Sequence, residues 1–291
     1  MNKKLLSGIL FSSAGSFWWG VIGVFYFKYV SFAGTVELVV HRTIWTAFIL
    51  FLSIIFYSRW DFFFEILNNK KKLFILFISG LLIFINWFTW IYAVVTNRLI
   101  DASFGYYIFP ILSVLFGFIF FKEKLNKKRI ISIFLVLISI IYLLFNFKSI
   151  PWIGLTVAIT WSTYNLLRKK INVQTDIGLF IETIFFVPVA LILFYFISQK
   201  GLNDFSFSNP NIMFWLFLAG PVTVIPLYLY LRGVELAGLG AAGMVFFITP
   251  TGQFLLGIFY FNEIFNVHKL IGFIFIWIAV IIYLKDLNQC K

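Results

Sequence analysis

The sequence predicts an all-α integral membrane protein: ten transmembrane helices arranged as two inverted five-helix repeats, with both termini cytoplasmic. Three observations carry that expectation. Of 291 residues, 62% are hydrophobic and 12% charged, with a mean hydropathy of +1.00, where a soluble domain has about 25% charged residues. Apolar runs close to the ~20 residues a helix needs to cross a bilayer recur from end to end. The second half of the chain also repeats the first at a constant offset. A soluble enzyme, a disulfide-stapled extracellular domain and a disordered chain are excluded, because none of them could hide or tolerate this much apolar surface.

The ten spans are expected near residues 5–27, 34–57, 73–95, 101–121, 130–147, 150–167, 177–198, 211–231, 239–261 and 268–284. Helices are the spanning element, since barrel strands would alternate polar and apolar residues and these runs do not. The first run follows Lys3 and Lys4 and continues past residue 25 with no small-residue cleavage pattern, so it reads as a retained span and not a signal peptide. The longest connections are expected as loops at 58–72 and 201–210.

The net charge of +12 would suggest nucleic acid in a soluble protein. Here the basic residues form short clusters between apolar runs and read as topology signals, with no nucleic-acid partner expected. With the N-terminus inside, Lys3, Lys4, Arg59, Lys70, Lys71, Lys72, Lys122, Lys124, Lys127, Lys128, Arg129, Arg168, Lys169, Lys170, Arg232, Lys285 and Lys291 are cytoplasmic. Only Lys28, Arg42, Arg98, Lys148, Lys200 and Lys269 are outside or embedded, which sets both termini inside. One cysteine, Cys290, allows no intrachain disulfide, and His41 and His268 alone make no metal cluster. No metal and no cofactor are expected.

The repeat defines the architecture. Pro110, Gly117, Phe121, Glu123 and Asn126 recur, each shifted by 140, as Pro250, Gly257, Phe261, Glu263 and Asn266, and Thr43 and Ile44 recur as Thr183 and Ile184. The units are residues 1–148 and 149–291, five helices each. Five is odd, so the second copy enters the membrane from the opposite side, giving the inverted-repeat plan of secondary transporters.

Charges inside spans need a partner, a water-filled cavity or a role. Glu37 and His41 stand one helical turn apart and can pair, with Arg42 rotated from them by about 100°. Arg42 and Glu182 are equivalent under the repeat, but inversion puts them near opposite membrane faces, so no static bridge between them is expected. Arg42 is expected in an outer vestibule near Glu37 or Asp101, and Glu182 in an inner one near Arg168 or Arg232. Asn86, Trp87, Trp90 and Tyr92, Tyr106 and Tyr107, Trp161, Tyr164 and Asn165, and Gln253 supply ring and amide groups suited to an amphipathic organic molecule. Those sharing spans with Gly105, Pro110, Gly243 and Pro250 are favoured, because Gly and Pro thin or break helices beside a cavity. Glu123 and Glu263, beside turns, are expected to be architectural.

Several stretches resemble the drug/metabolite transporter superfamily, in particular EamA-domain proteins of the RarD type: Trp19-Gly20 with Tyr26-Phe27-Lys28; Glu37 through His41-Arg42-Thr43-Ile44-Trp45; Asn86-Trp87; Asp101-Ala102-Ser103-Phe104-Gly105-Tyr106; Gly178-Leu179 with Glu182-Thr183 and Pro188; and Pro250-Thr251-Gly252-Gln253-Phe254-Leu255-Leu256. The resemblance covers essentially the whole chain. It implies a ten-helix bundle moving small organic solutes across the bacterial inner membrane, and it adds Trp45 to the candidate site. The pattern of that branch would place a proline after the first Trp-Gly, Asn at Phe109 and Gln-Tyr at Phe246-Phe247. This cavity wall is therefore expected to lack an amide and a phenol.

The leading functional expectation is a secondary transporter, an exporter of a metabolite or drug-like solute, acting as a monomer or weak homodimer. No Gly-rich phosphate loop is present. If protons couple, Glu182, Glu37 and His41 are the titratable candidates. The alternative is an integral-membrane enzyme on a lipid or amphipathic substrate, using Glu37 and His41 as acid and base. A channel would want a continuous polar pore, which these Phe-rich helices do not offer.

Overall fold

A computed structural model describes residues 3–123, 125–145, 152–261 and 267–289. Glu263, Asn266, Lys124, Lys148, Cys290 and Lys291 lie outside the described residues, as do the side chains of Phe104 and Lys269. Among the described residues the chain is helical and contains no strand.

The first helical run, Lys3–Phe56, has 54 residues and would reach about 80 Å if straight, at 1.5 Å per residue, against a hydrocarbon core of about 30 Å. It is broken. Helix α1 (Lys3–Phe17) passes through a π-helical turn at Trp18–Ile22 into α2 (Gly23–Tyr29), and a 3-10 turn at Val30–Ala33 leads to α3 (Gly34–Phe56). Gly34 has φ +71°, a conformation that side chains disfavour, and it separates two legs that both pack on the later helix α12 (Ala219–Ala237). The expected loop at 58–72 is corrected: it contains α4 (Trp60–Leu67). This short helix exposes Phe62 and Phe64 while burying Ile66, an arrangement suited to the membrane interface.

Helices α5 (Lys70–Val95), α6 (Leu99–Phe121) and α7 (Lys127–Phe145) complete the first half. The second half contains α8 (Trp152–Ile171), α9 (Thr175–Ile184), α10 (Val187–Gln199), α11 (Pro210–Phe217), α12, α13 (Leu239–Val245), α14 (Ile248–Phe259) and α15 (Val267–Gln289). The single span expected at 177–198 is a bent pair. Helices α9 and α10 meet at 44°, with Pro188 in the first turn of α10, where its missing N–H does no harm. Among the described residues, five helical segments are long and apolar enough to cross a membrane, and the bent pair makes a sixth.

Packing pairs the two halves. α1 lies along α12 and α8 along α5, α7 lies along α15, α6 touches α13 and α14, and α3 touches α9 and α10. The α1–α12 contact is close because it is lined by small residues: Gly8, Ser12, Gly15 and Ser16 are the buried positions of α1. A side-chain carbon at Gly8 would lie 2.6 Å from the Ala237 nitrogen, so only glycine admits this approach. Outward-facing positions are apolar, among them Phe56, Phe145 and Phe259, each at least 80% exposed, as a surface bathed in lipid requires.

Candidate functional site

Arg42 and His41 are neighbours on α3, and the 100° between them sends them to different places. Arg42 points into the centre of the bundle and is 1% exposed. Its guanidinium carbon lies 4.7 Å from the ring centre of Trp19, 5.0 Å from Phe27 and 4.5 Å from Trp87. Trp19 comes from the π-helical turn and Phe27 from α2, and such turns concentrate at functional sites because they re-aim side chains. A desolvated cation–π contact contributes about 2 kcal/mol, while burying a charge costs several. Arg42 Nε and Nη1 have no hydrogen-bond partner, and no carboxylate among the described residues pairs with it.

This cation faces a cavity lined by Trp19, Arg42, Asn86, Trp87, Trp90, Tyr106, Trp161 and Phe246. The free space is about 10 Å³, on the order of one water molecule, so the rings are closed around the charge. Asn86 donates its NH₂ to Val157 O at 3.2 Å and Thr160 Oγ1 at 3.0 Å. Trp90 Nε1 and Trp161 Nε1 are buried without acceptors. Tyr106 and Phe246, 140 positions apart, meet edge to face at 5.3 Å, and Tyr107 and Phe247 meet at 6.3 Å. Phe109, fully buried, backs Phe246 and Trp161 at 4.9 and 5.9 Å, so the wall is as apolar as its sequence implies.

The outer-vestibule expectation for Arg42 is corrected, because both of its expected partners are engaged elsewhere. Glu37, 1% exposed, accepts the backbone N–H groups of Asp204 and Phe205, each at 2.8 Å, and lies 3.4 Å from His41 Nε2. Trp45 Nε1 donates to His41 Nδ1 at 3.1 Å, so Glu37, His41 and Trp45 form one polar string down the face of α3 that holds the loop at 201–210. In that loop, burial and the nearby Glu37 charge raise the Asp204 carboxyl above its ordinary range. Asp101 pairs locally with Arg98 at 2.8 Å.

Glu182 does meet Arg168, with Nε 3.6 Å from Oε1, and it does not meet Arg232, which pairs with Glu235 at 2.5 Å. Ser79 Oγ donates to Glu182 at 2.5 Å and Tyr164 OH at 3.1 Å, and Arg168 Nη2 donates to Thr175 O at 3.1 Å. This cluster ties α5 to α8 and α9. Farther along, a polar cleft of about 460 Å³ includes Arg59, Gln174, Asp176, Arg232 and Glu235. There Arg59 bridges the halves, donating to Gln174 at 2.9 Å and to Asp176 at 2.9 and 3.0 Å. Glu123 accepts the first N–H groups of α13, from Leu239 at 2.8 Å and Gly240 at 3.0 Å, an architectural cap.

Of the expected site residues, Arg42, Asn86, Trp87, Tyr106 and Trp161 come together at the cavity. Glu37, His41 and Trp45 lie on the loop-holding string, and Tyr164 and Glu182 lie in the α8–α9 cluster. Tyr107 joins a separate apolar cluster. Asn165 donates to Trp161 O at 2.8 Å, and Gln253 is buried on α14 and does not line the cavity. Trp90, one of the expected rings, and Phe246, expected on the cavity wall, line it as well, and Trp19 completes the cavity beyond the expected site residues. Trp90 is signalled by its place one turn past Trp87, on the same face.

A model of the EamA-like transporter family matches residues 6–145 and again residues 148–285. The chain is 31% identical over 284 residues to Protein RarD of Salmonella typhi, covering 98% of this chain and 96% of that one. It is likewise 31% identical over 285 residues to the uncharacterized transporter YojE of Bacillus subtilis, covering 97% and 95%. A solved crystal structure superposes with a TM-score of 0.68 at 13% identity, covering 98% of this chain and 99% of that one, which shows the fold. These relatives and the apolar helices make the protein a multi-pass inner-membrane transporter. The chain belongs to the EamA-like transporter family, which it matches twice along its length.

Proposed function

We propose that the protein exports a small organic solute across the inner membrane by alternating access, with the Arg42 cavity as the point both sides reach in turn. The scaffold in this reading is ten membrane helices in two inverted repeats, residues 1–148 and 149–291, with both termini cytoplasmic. The paired packing supports it: exchanging the halves turns the α1–α12 contact into α8–α5 and returns α7–α15 to itself. The observation that carries the proposal is a buried, unpaired cation in a cavity lined from both halves, six residues from the first and Trp161 and Phe246 from the second. Two halves sharing one site can rock about it.

Closure on either side has named contacts. On the inner side, Arg59 joins Asp176 across the halves. On the outer side, Glu37 holds the 201–210 loop and Tyr26 OH donates to Trp215 O at 2.6 Å. Glu182 is the group we assign to a coupled proton, because a change in its charge acts directly on Arg168 beside it. The test is counterflow in proteoliposomes with a panel of metabolites and drug-like solutes. Wild type is expected to exchange at least one solute and inserted Arg42→Ala none. Exchange no faster than in protein-free liposomes, or full exchange by Arg42→Ala, would overturn the proposal.

A further inference from the structure

We infer that the solute bound in this cavity is an organic monoanion, a carboxylate carried on a flat or apolar body. This rests on the transporter reading of the same cavity and names its substrate class. Four donor nitrogens on its lining residues lack an acceptor: Arg42 Nε and Nη1, Trp90 Nε1 and Trp161 Nε1. All are donors. The Asn86 NH₂ is already engaged, and the described lining contains one cation and no acidic side chain. Orphaned donors in a dry site lose their hydration without compensation, and a lone cation loses more. The site is complete only when acceptor oxygens enter it.

A carboxylate supplies two oxygens with about four lone-pair sites, a geometric match to the guanidinium fork. One positive charge balances one negative. A phosphate monoester, with charge near −2, would keep about one charge uncompensated. An amine is disfavoured twice over: no carboxylate lines the cavity to receive it, and Arg42 already occupies the faces of Trp19 and Trp87. Glu182 does not neutralise Arg42, since Ser79, Tyr164 and Arg168 hold it elsewhere. The other lining rings include Tyr106, Trp161 and Phe246, which pack on one another around about 10 Å³ of free space, so a solute enters only as these rings part, and parting them frees their faces for a planar or apolar body. An anion also gives export a driving force, because an interior-negative potential pushes it outward.

The test is a titration of tryptophan emission in the detergent-purified full chain with benzoate, 3-phenylpropanoate and indole-3-acetate, each beside its own amide, together with phenethylamine. Carboxylates are expected to bind about tenfold or more tighter than their amides, the scale of one charge-assisted hydrogen bond. Arg42→Gln is expected to bring that ratio close to one, and Arg42→Lys to keep part of it. Amides or the amine binding as tightly as the acids, no acid binding at all, or a ratio that survives in Arg42→Gln would overturn the inference. The wild-type acid and amide pairs decide it even where a variant fails to fold. The same solutes in counterflow separate the two claims: acids that all bind without any solute exchanging remove transport and keep the substrate class, and amides that exchange as readily as their acids do the reverse.

Discussion

Replacing Glu37 with Gln should loosen one loop and leave the bundle intact. The carboxylate, 1% exposed, accepts the Asp204 N–H on one oxygen and the Phe205 N–H on the other, each at 2.8 Å. Gln has the same shape but one acceptor, so one N–H faces an NH₂ and the other keeps a neutral bond. A hydrogen bond to a charged group contributes about 1.5–3 kcal/mol and a neutral one about 0.5–1.5. The exchange therefore costs about 2–4 kcal/mol of local opening free energy, or roughly 30- to 1000-fold in the opening equilibrium. Hydrogen exchange followed by mass spectrometry on peptides spanning residues 200–209 reads it directly. The expected result is faster exchange at Asp204 and Phe205, with α3 unchanged beyond its first turns. Unaltered protection in the loop, or a loss spread evenly across the bundle, would refute the assignment of Glu37 as the clamp of that loop.

Other expectations follow from the same geometry. Asp204→Asn should raise the thermal midpoint near neutral pH: burial and Glu37 lift this carboxyl's folded-state pKa, so its ionised form opposes folding. That gain should be full above the raised value and vanish as pH drops through the unfolded value of 3.8, and an equal gain at every pH would contradict it. Gly105→Ala should destabilise the α6–α8 contact by about 1–3 kcal/mol, since a side-chain carbon there lies 2.2 Å from Gly154 O and backbone cannot swing aside; a midpoint within a degree of wild type would show that the helices part freely. Glu182→Gln should flatten any pH dependence of flux, and an unchanged profile would move proton coupling to another group.

Much of the fold was legible because lipid imposes a simple rule of long apolar runs, and the repeat at 140 positions stood out in Pro110 and Pro250. The bend at Phe185–Phe186 was not, because an apolar run reads the same straight or broken, although Pro188 was a local hint. α4 reads as loop in the sequence because eight residues are too few for a span. At the site, Arg42 stands out by its charge, but its surroundings do not: nearness along the chain suggests Glu37, which the helical rotation turns to another face, while the neighbours, Trp19, Phe27 and Trp87, arrive from the π-helical turn, α2 and α5. Trp19 escaped as a cavity residue because, in a chain with 22% aromatic residues, a ring beside a cavity and a ring beside lipid look alike in sequence. Glu182 was placed near Arg168 correctly, since the two lie within one short hairpin of helices.

The central claim is that one cavity between two halves opens alternately to each face. Tyr106 lines it, and the chain's single cysteine, Cys290, can be replaced by Ser to clear the background. The most direct measurement is labelling of Tyr106→Cys by a membrane-impermeant thiol reagent in right-side-out and in inverted vesicles. The account predicts modification from both sides, with a bound solute slowing both. Modification from one side only, or from neither, would contradict it.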